Sequence, residues 1–153
     1  MIKAIDDIVY RIINTFLGRY IIRINLFRYR IYGDESRLHL SQEANVLNAL
    51  FNVVSGNINI EKGVFFGHNV CLLTGTHNYL SSGASRRKDV PSTGRDITVK
   101  QGAWLASNVT VLGPCIIGEN AVVAANSLVI HNVQANTLVA GTPARIIKYL
   151  KNR

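Results

Sequence analysis

The sequence predicts an all-β solenoid, a parallel β-helix preceded by an amphipathic helix, interrupted by one extruded loop and closed by a short C-terminal helix. Three observations predict it. Large apolar residues recur every six positions over most of the chain. The recurrence breaks once, between Leu72 and Val99. The first residues instead repeat with helical spacing.

The six-residue period carries the fold class. Steps of six from Val54 give Ile60, Phe66 and Leu72; steps from Val99 give Leu105, Val111, Ile117, Val123 and Val129. Four residues beyond each of these stand Ile58, Val64, Val70 and Thr76, then Ala103, Val109, Cys115, Ala121, Ser127 and Val133, all small or β-branched. A helix needs a period of 3.6 and a simple strand a period of two. Six suits a coil with three flat sides, each a short strand and a corner, with the first residue of each step pointing inward. Gly56, Gly67 and Gly118 fall at or beside corners. Stacked coils would pair their strands in parallel about 4.8 Å apart.

The ends differ. Residues 1–32 form a helical and basic cap. Ile5, Ile8, Val9, Ile12, Ile13 and Phe16 share one helix face, and Lys3, Asp7, Arg11 and Asn14 the other, with Gly18 as the expected stop. Two roles stay open. The helix covers the open end of the solenoid, or Arg19, Arg23, Arg28 and Arg30 make a peripheral contact with an anionic membrane face. Residues 33–141 form the β-helix. In residues 142–153, Thr142 is placed as N-cap and Pro143 at the first helical position of a short helix.

The step from Leu72 to Val99 is 27 residues, not a multiple of six, so a loop at 78–96 leaves the coil. A smooth solenoid wall offers no cleft, and an ejected loop makes one. His77 stands where the loop departs. Imidazole titrates near neutrality and suits removal of a proton from a hydroxyl.

Composition bounds the rest. The chain has 153 residues, 48% hydrophobic and 17% charged, which suits one globular domain. The net charge of +8 is either a basic surface without a dedicated role or the mark of an anionic partner, and no nucleic-acid motif accompanies it. No uninterrupted apolar run is long enough for a transmembrane helix, and Asp6 and Asp7 spoil a signal peptide, so the expected location is cytoplasmic, at the inner face of the membrane if the basic segment touches lipid. Cys71 and Cys115 form no disulfide or metal pattern.

The stretches IEKGVFFGHNV, VKQGAWLASNVTVLGPCIIGENAVVAANSLV and NTLVAGTPARIIK resemble the hexapeptide-repeat acyltransferases, nearest the galactoside, maltose and polysaccharide O-acetyltransferase group. The resemblance covers roughly residues 44–148. It implies a left-handed coil, a homotrimer with clefts between subunits, and transfer of acetyl from acetyl-CoA to a carbohydrate hydroxyl. His77 matches the family's catalytic histidine. Ser107, Ala125, Arg145 and Lys148 match positions that contact acetyl-CoA, its phosphates suiting the two cations. Trp104 is expected to point outward near the cofactor groove or against the loop. Asn78 and Tyr79 are expected to shape the acceptor pocket.

The resemblance fails in one place. The family's sugar-holding asparagine and aspartate fall on Leu47 and Ser55, which leaves Asn45, Asn48 or Asn52 as substitutes and puts a simple galactoside acceptor in doubt. No metal is expected, because the interval between His68 and His77 does not match the three-histidine zinc site built on the same coil. The rivals are a different acceptor, an amino sugar or an antibiotic hydroxyl, and a non-catalytic β-helix scaffold.

Overall fold

Short apolar strands that repeat every turn bury one edge inward and pair with the turns above and below. In the computed structural model they do so on three faces. The structure describes residues 2–151, with the side chains of residues 2–6, 16, 19, 21 and 24 excluded. The expectations placed on the side chains of Lys3, Ile5, Phe16 and Arg19, and on residues 152–153, lie outside the described residues.

The first face stacks β1 (Arg30–Tyr32), β3 (Leu50–Asn52), β6 (Cys71–Leu73), β9 (Thr110–Leu112) and β12 (Leu128–Val129). The second stacks β2 (Leu38–Leu40), β4 (Ile58–Ile60), β7 (Ile97–Val99) and β10 (Cys115–Ile117). The third stacks β5 (Phe65–Phe66), β8 (Trp104–Leu105), β11 (Val122–Val123) and β13 (Thr137–Gly141). From β3 to β12 the chain visits first, second and third face in strict rotation, and these strand pairs are all parallel. That rotation is what a three-sided coil requires.

The inward ladder is the predicted one. Of the residues six apart, Ile60, Phe66, Leu72, Val99 and those after them are at most 4% exposed. Of the residues four further on, Ile58, Val64, Val70, Ala103 and those after them are at most 7% exposed. The exceptions are Val54 and Thr76, both half-buried, and both line the cleft described below.

Corners are built from residues that tolerate a left-handed backbone. Between the third and first faces Asn69, Asn108 and Asn126 have φ of 60°, 61° and 60°. Asparagine reaches this region at lower cost than bulkier side chains. The three stack, Asn69 Nδ2 donating to Asn108 Oδ1 at 3.3 Å. The corner between first and second faces varies instead. It takes 8 residues from Leu50 to Ile58, 26 from Cys71 to Ile97, and 5 from Thr110 to Cys115. The loop leaves there.

Three expectations are corrected. The helix α1 spans Ile2–Phe27 and does not stop at Gly18, which keeps helical backbone. One glycine costs a helix about 1 kcal/mol relative to alanine, too little to end an apolar pattern that resumes at Tyr20 and Leu26. Nor is α1 a lid, since Ile8, Ile12 and Ile13 remain 44–58% exposed. The described contacts with the coil come at its last turn, where the Asn25 carbonyl accepts from Asn48 Nδ2 at 3.1 Å and the Phe27 ring lies 6.5 Å from that of His68. The C-terminal segment is a strand and not a helix: β14 (Ala144–Tyr149) pairs antiparallel with β13 across a turn at Gly141, whose φ is 105°. A free edge on β13 is better satisfied by a strand rich in isoleucine than left to water.

Candidate active site

The chain leaves the first face after Leu73 and passes Thr74, Gly75 and Thr76 before His77. Thr74 Oγ1 donates to the Asn52 carbonyl at 2.8 Å and accepts from Ser55 N at 3.1 Å, which pins the exit to the coil below. Past His77 the loop folds on itself. Asn78 N donates to the Asp89 carbonyl at 3.0 Å, and Asn78 Nδ2 to Asp89 Oδ2 at 2.7 Å. Asn78 Oδ1 accepts from Leu80 N at 3.0 Å. Between the two arms of this clasp lies a short helix, α2 (Gly83–Lys88).

The clasp sets the histidine. His77 is exposed, and its Nδ1 lies 3.1 Å from the carbonyl oxygen of Arg86 on α2. A carbonyl only accepts, so Nδ1 carries the proton, and in the neutral ring Nε2 keeps a free lone pair. A cleft of about 270 Å³ adjoins it, lined by Tyr32, Asn52, Val54, Gly75, Thr76 and Val90. The return of the loop is tied down by two arginines. Arg37 Nη1 donates to the Ser92 carbonyl at 2.8 Å and to that of Val54 at 3.0 Å, and Arg95 Nε to that of Thr74 at 2.8 Å. Asp96 is turned to the coil, accepting from Asn57 N at 2.7 Å, and Asp89 meets Asn78; the hydrogen bond to His77 comes from the Arg86 backbone.

A second cluster lies on another corner. Ser107 and Ala125 follow paired strands of the third face in successive turns and align at its corner with the first, with Thr142 beside Asn126. The Ser107 carbonyl accepts from Asn126 N at 3.0 Å, and Thr142 Oγ1 donates to the Asn126 carbonyl at 3.4 Å. Ser107 Oγ accepts from His68 N at 3.2 Å. The approach is close: a Cβ on Gly67 would stand 2.5 Å from both Ser107 N and Ser107 Oγ, so no larger residue fits there undisturbed. Arg145 and Lys148 lie exposed on β14. Three residues apart, they would face opposite ways in a regular strand. The irregularity between Leu138 and Val139 aligns them with Ala140 and Leu138, which share a face, so both cations face the same way.

Two other expected residues are occupied in the coil. Trp104 points outward, 41% exposed, and stacks on Phe65 at 5.5 Å rather than on the loop. Asn48 is buried and joins the corner ladder, its Nδ2 donating to Asn69 Oδ1 and its Oδ1 accepting from Asn69 N, both at 2.8 Å. Tyr79 is exposed on the loop. Among the described residues no three His, Cys, Asp or Glu side chains gather. A backbone carbonyl, rather than Asp89 or Asp96, is the partner expected to orient His77, and Arg86 supplies it. Arg37 and Arg95 leave no such sign in the sequence, since a lone arginine between weak elements carries no periodic signal.

Residues 96–131 match the family model described as the bacterial transferase hexapeptide, six repeats. A putative lipopolysaccharide biosynthesis O-acetyl transferase of Escherichia coli is 50% identical over 52 residues, 34% of this chain and 26% of that protein. The galactoside O-acetyltransferase of the same organism is 29% identical over 128 residues, 82% and 59% respectively. A crystal structure of a hexapeptide-repeat acetyltransferase from Vibrio cholerae, complexed with acetyl coenzyme A, is 26% identical with a TM-score of 0.57, over 88% of this chain and 78% of that one. The chain spans between 26% and 61% of the length of the first curated relatives it matches.

Proposed function

From the premise that this chain carries the hexapeptide repeat of the bacterial transferases, we propose that it moves acetyl from acetyl-CoA to a hydroxyl of a carbohydrate, a surface polysaccharide or its precursor. His77 is the general base. The observation that carries the reading is the Arg86 carbonyl on His77 Nδ1, which leaves Nε2 free beside the cleft. The acceptor hydroxyl gives its proton to Nε2 as its oxygen bonds to the thioester carbon. The tetrahedral intermediate then expels the CoA thiolate, which takes up that proton. The thioester is already activated, so no covalent enzyme intermediate is needed. Ser107, Ala125, Trp104, Arg145 and Lys148 bind the donor, the two cations meeting its phosphates. Tyr79 and Asn78 shape the acceptor side, Asn78 through its bond to Asp89.

The reading includes a homotrimer. His77 lies at the corner between first and second faces, and the Ser107–Ala125 pair at the corner between third and first. Donor cluster and base therefore sit on different corners of one triangle, and a neighbouring copy supplies the missing half. The left hand of the coil rests on the resemblance, and the cytoplasmic location on acetyl-CoA as donor.

Acetyl-CoA turnover with a panel of oligosaccharides and nucleotide sugars tests it. His77→Ala should lower turnover by about 10²- to 10⁴-fold with the melting temperature unchanged. Equal turnover in the variant would remove His77 from the mechanism.

A further inference from the structure

The helix α1 plays no part in the reading above, and its surface is unlike the rest of the chain. Ile8, Val9, Ile12, Ile13, Leu17 and Leu26 are each 42–58% exposed. At about 100° per residue these six fall on one half of the helix, and Arg11, Asn14, Thr15 and Asn25 on the other. The helix is about 39 Å long at 1.5 Å per residue, and its described contacts with the coil are at its last turn. Folding has thus left a long apolar face in water.

Charge selects what covers it. Residues 1–32 carry six basic residues, Lys3, Arg11, Arg19, Arg23, Arg28 and Arg30, against Asp6 and Asp7. That is half of the chain's net charge of +8 in about a fifth of its length. A second copy of the helix would be repelled, and an apolar half-cylinder is wider than a coiled-coil seam. Arg23 sits within the apolar half, where a long stem lies along hydrocarbon while its head reaches phosphate. No helix among the described residues is long and apolar enough to cross a membrane. We infer that α1 lies flat on an anionic lipid bilayer, its Ile8–Ile12–Leu26 face in the acyl boundary and its arginines among the headgroups.

Cosedimentation of the full chain with lipid vesicles tests this, with no need for catalysis. At about 0.1 M salt the protein should pellet with vesicles of about three parts phosphatidylcholine to one part phosphatidylglycerol, and stay in solution with phosphatidylcholine alone. Raising salt to about 0.5 M should release at least about tenfold of the bound protein. Ile8→Asp with Ile12→Asp should lose binding by at least about tenfold. Arg11→Gln with Arg23→Gln should lose it by about tenfold with the apolar face intact, and decides the matter if the aspartate pair misfolds by circular dichroism. Turnover of a soluble acceptor should be unchanged in both pairs, so failure of lipid binding and failure of the acetyl-transfer reading are separately visible. Equal pelleting with neutral vesicles, or none with anionic ones, overturns the inference. So does a fall in the solution mass of the Ile8→Asp pair without any lipid binding, which would mean that a second copy covers the face.

Discussion

Cys115 shows how the coil treats a single side chain. It is 2% exposed, its Sγ donates to the His131 carbonyl at 3.3 Å, and burial raises its thiol from the ordinary 9.0 to about 11. The unfolded thiol ionises above pH 9 while the folded one keeps its proton, so the folded state binds more protons and stability falls as pH rises from 9 to 11. Urea titrations across that window should show the fall, and Cys115→Ala should remove its share. Alkylation at pH 8 should accordingly label the half-buried Cys71 well before Cys115. Ser55 is the opposite case. Its Oγ is buried with no partner among the described residues, at a corner where Ser55 N is already satisfied by Thr74. Ser55→Ala should therefore be neutral or stabilising, by up to about 1 kcal/mol in chemical denaturation, because it removes an unpaired hydroxyl and almost no contact. Phe51, fully buried between Tyr29 and Phe66, should lose about 3–5 kcal/mol on replacement by alanine in the same assay.

The loop is held by specific bonds rather than by packing, for α2 has no buried residue. Its two anchors should separate experimentally. Arg37→Ala frees the return at Ser92, and trypsin should then cut at Arg86, Arg87 or Lys88 several times faster than in the wild type. Asp89→Ala opens the clasp at Asn78 while leaving the donor corner untouched. If His77 is the base, kcat should fall by about tenfold with the KM for acetyl-CoA little changed. How much of this was readable in advance follows from the kind of signal each element leaves. The inward ladder is a period, and a period survives in the sequence; the half-burial of Val54 and Thr76, which both fit that period, does not. The loop was visible as a wrong interval after Leu72. The segment ARIIKY was misread as a helix because its partner, Thr137–Gly141, becomes relevant only once the third face has a free edge. Gly18 was misread because a stop signal was weighed without the apolar residues beyond it. The asparagine corners left a signal that went unused, Asn69, Asn108 and Asn126 recurring at whole turns of the coil.

At the scale of the molecule, the separation of His77 from the Ser107 corner makes a sharp demand on assembly. An equal mixture of His77→Ala chains with chains blocked at the donor corner, such as Ser107→Trp, should regain activity after unfolding and reassembly together. Independent sorting puts both intact halves at about a quarter of the interfaces, so about a quarter of wild-type turnover is expected. None would mean that each protomer works alone. Of the three corners, two keep nearly constant length from turn to turn, whereas the one between first and second faces takes anything from 5 to 26 residues without disturbing the ladder above or below it. Pitch and cargo are thereby uncoupled. A foreign hairpin spliced in place of Ser81–Gly94, its ends spaced as Leu80 and Arg95 are, should ride on an unchanged scaffold, which makes this corner the natural port for grafting new recognition onto the coil.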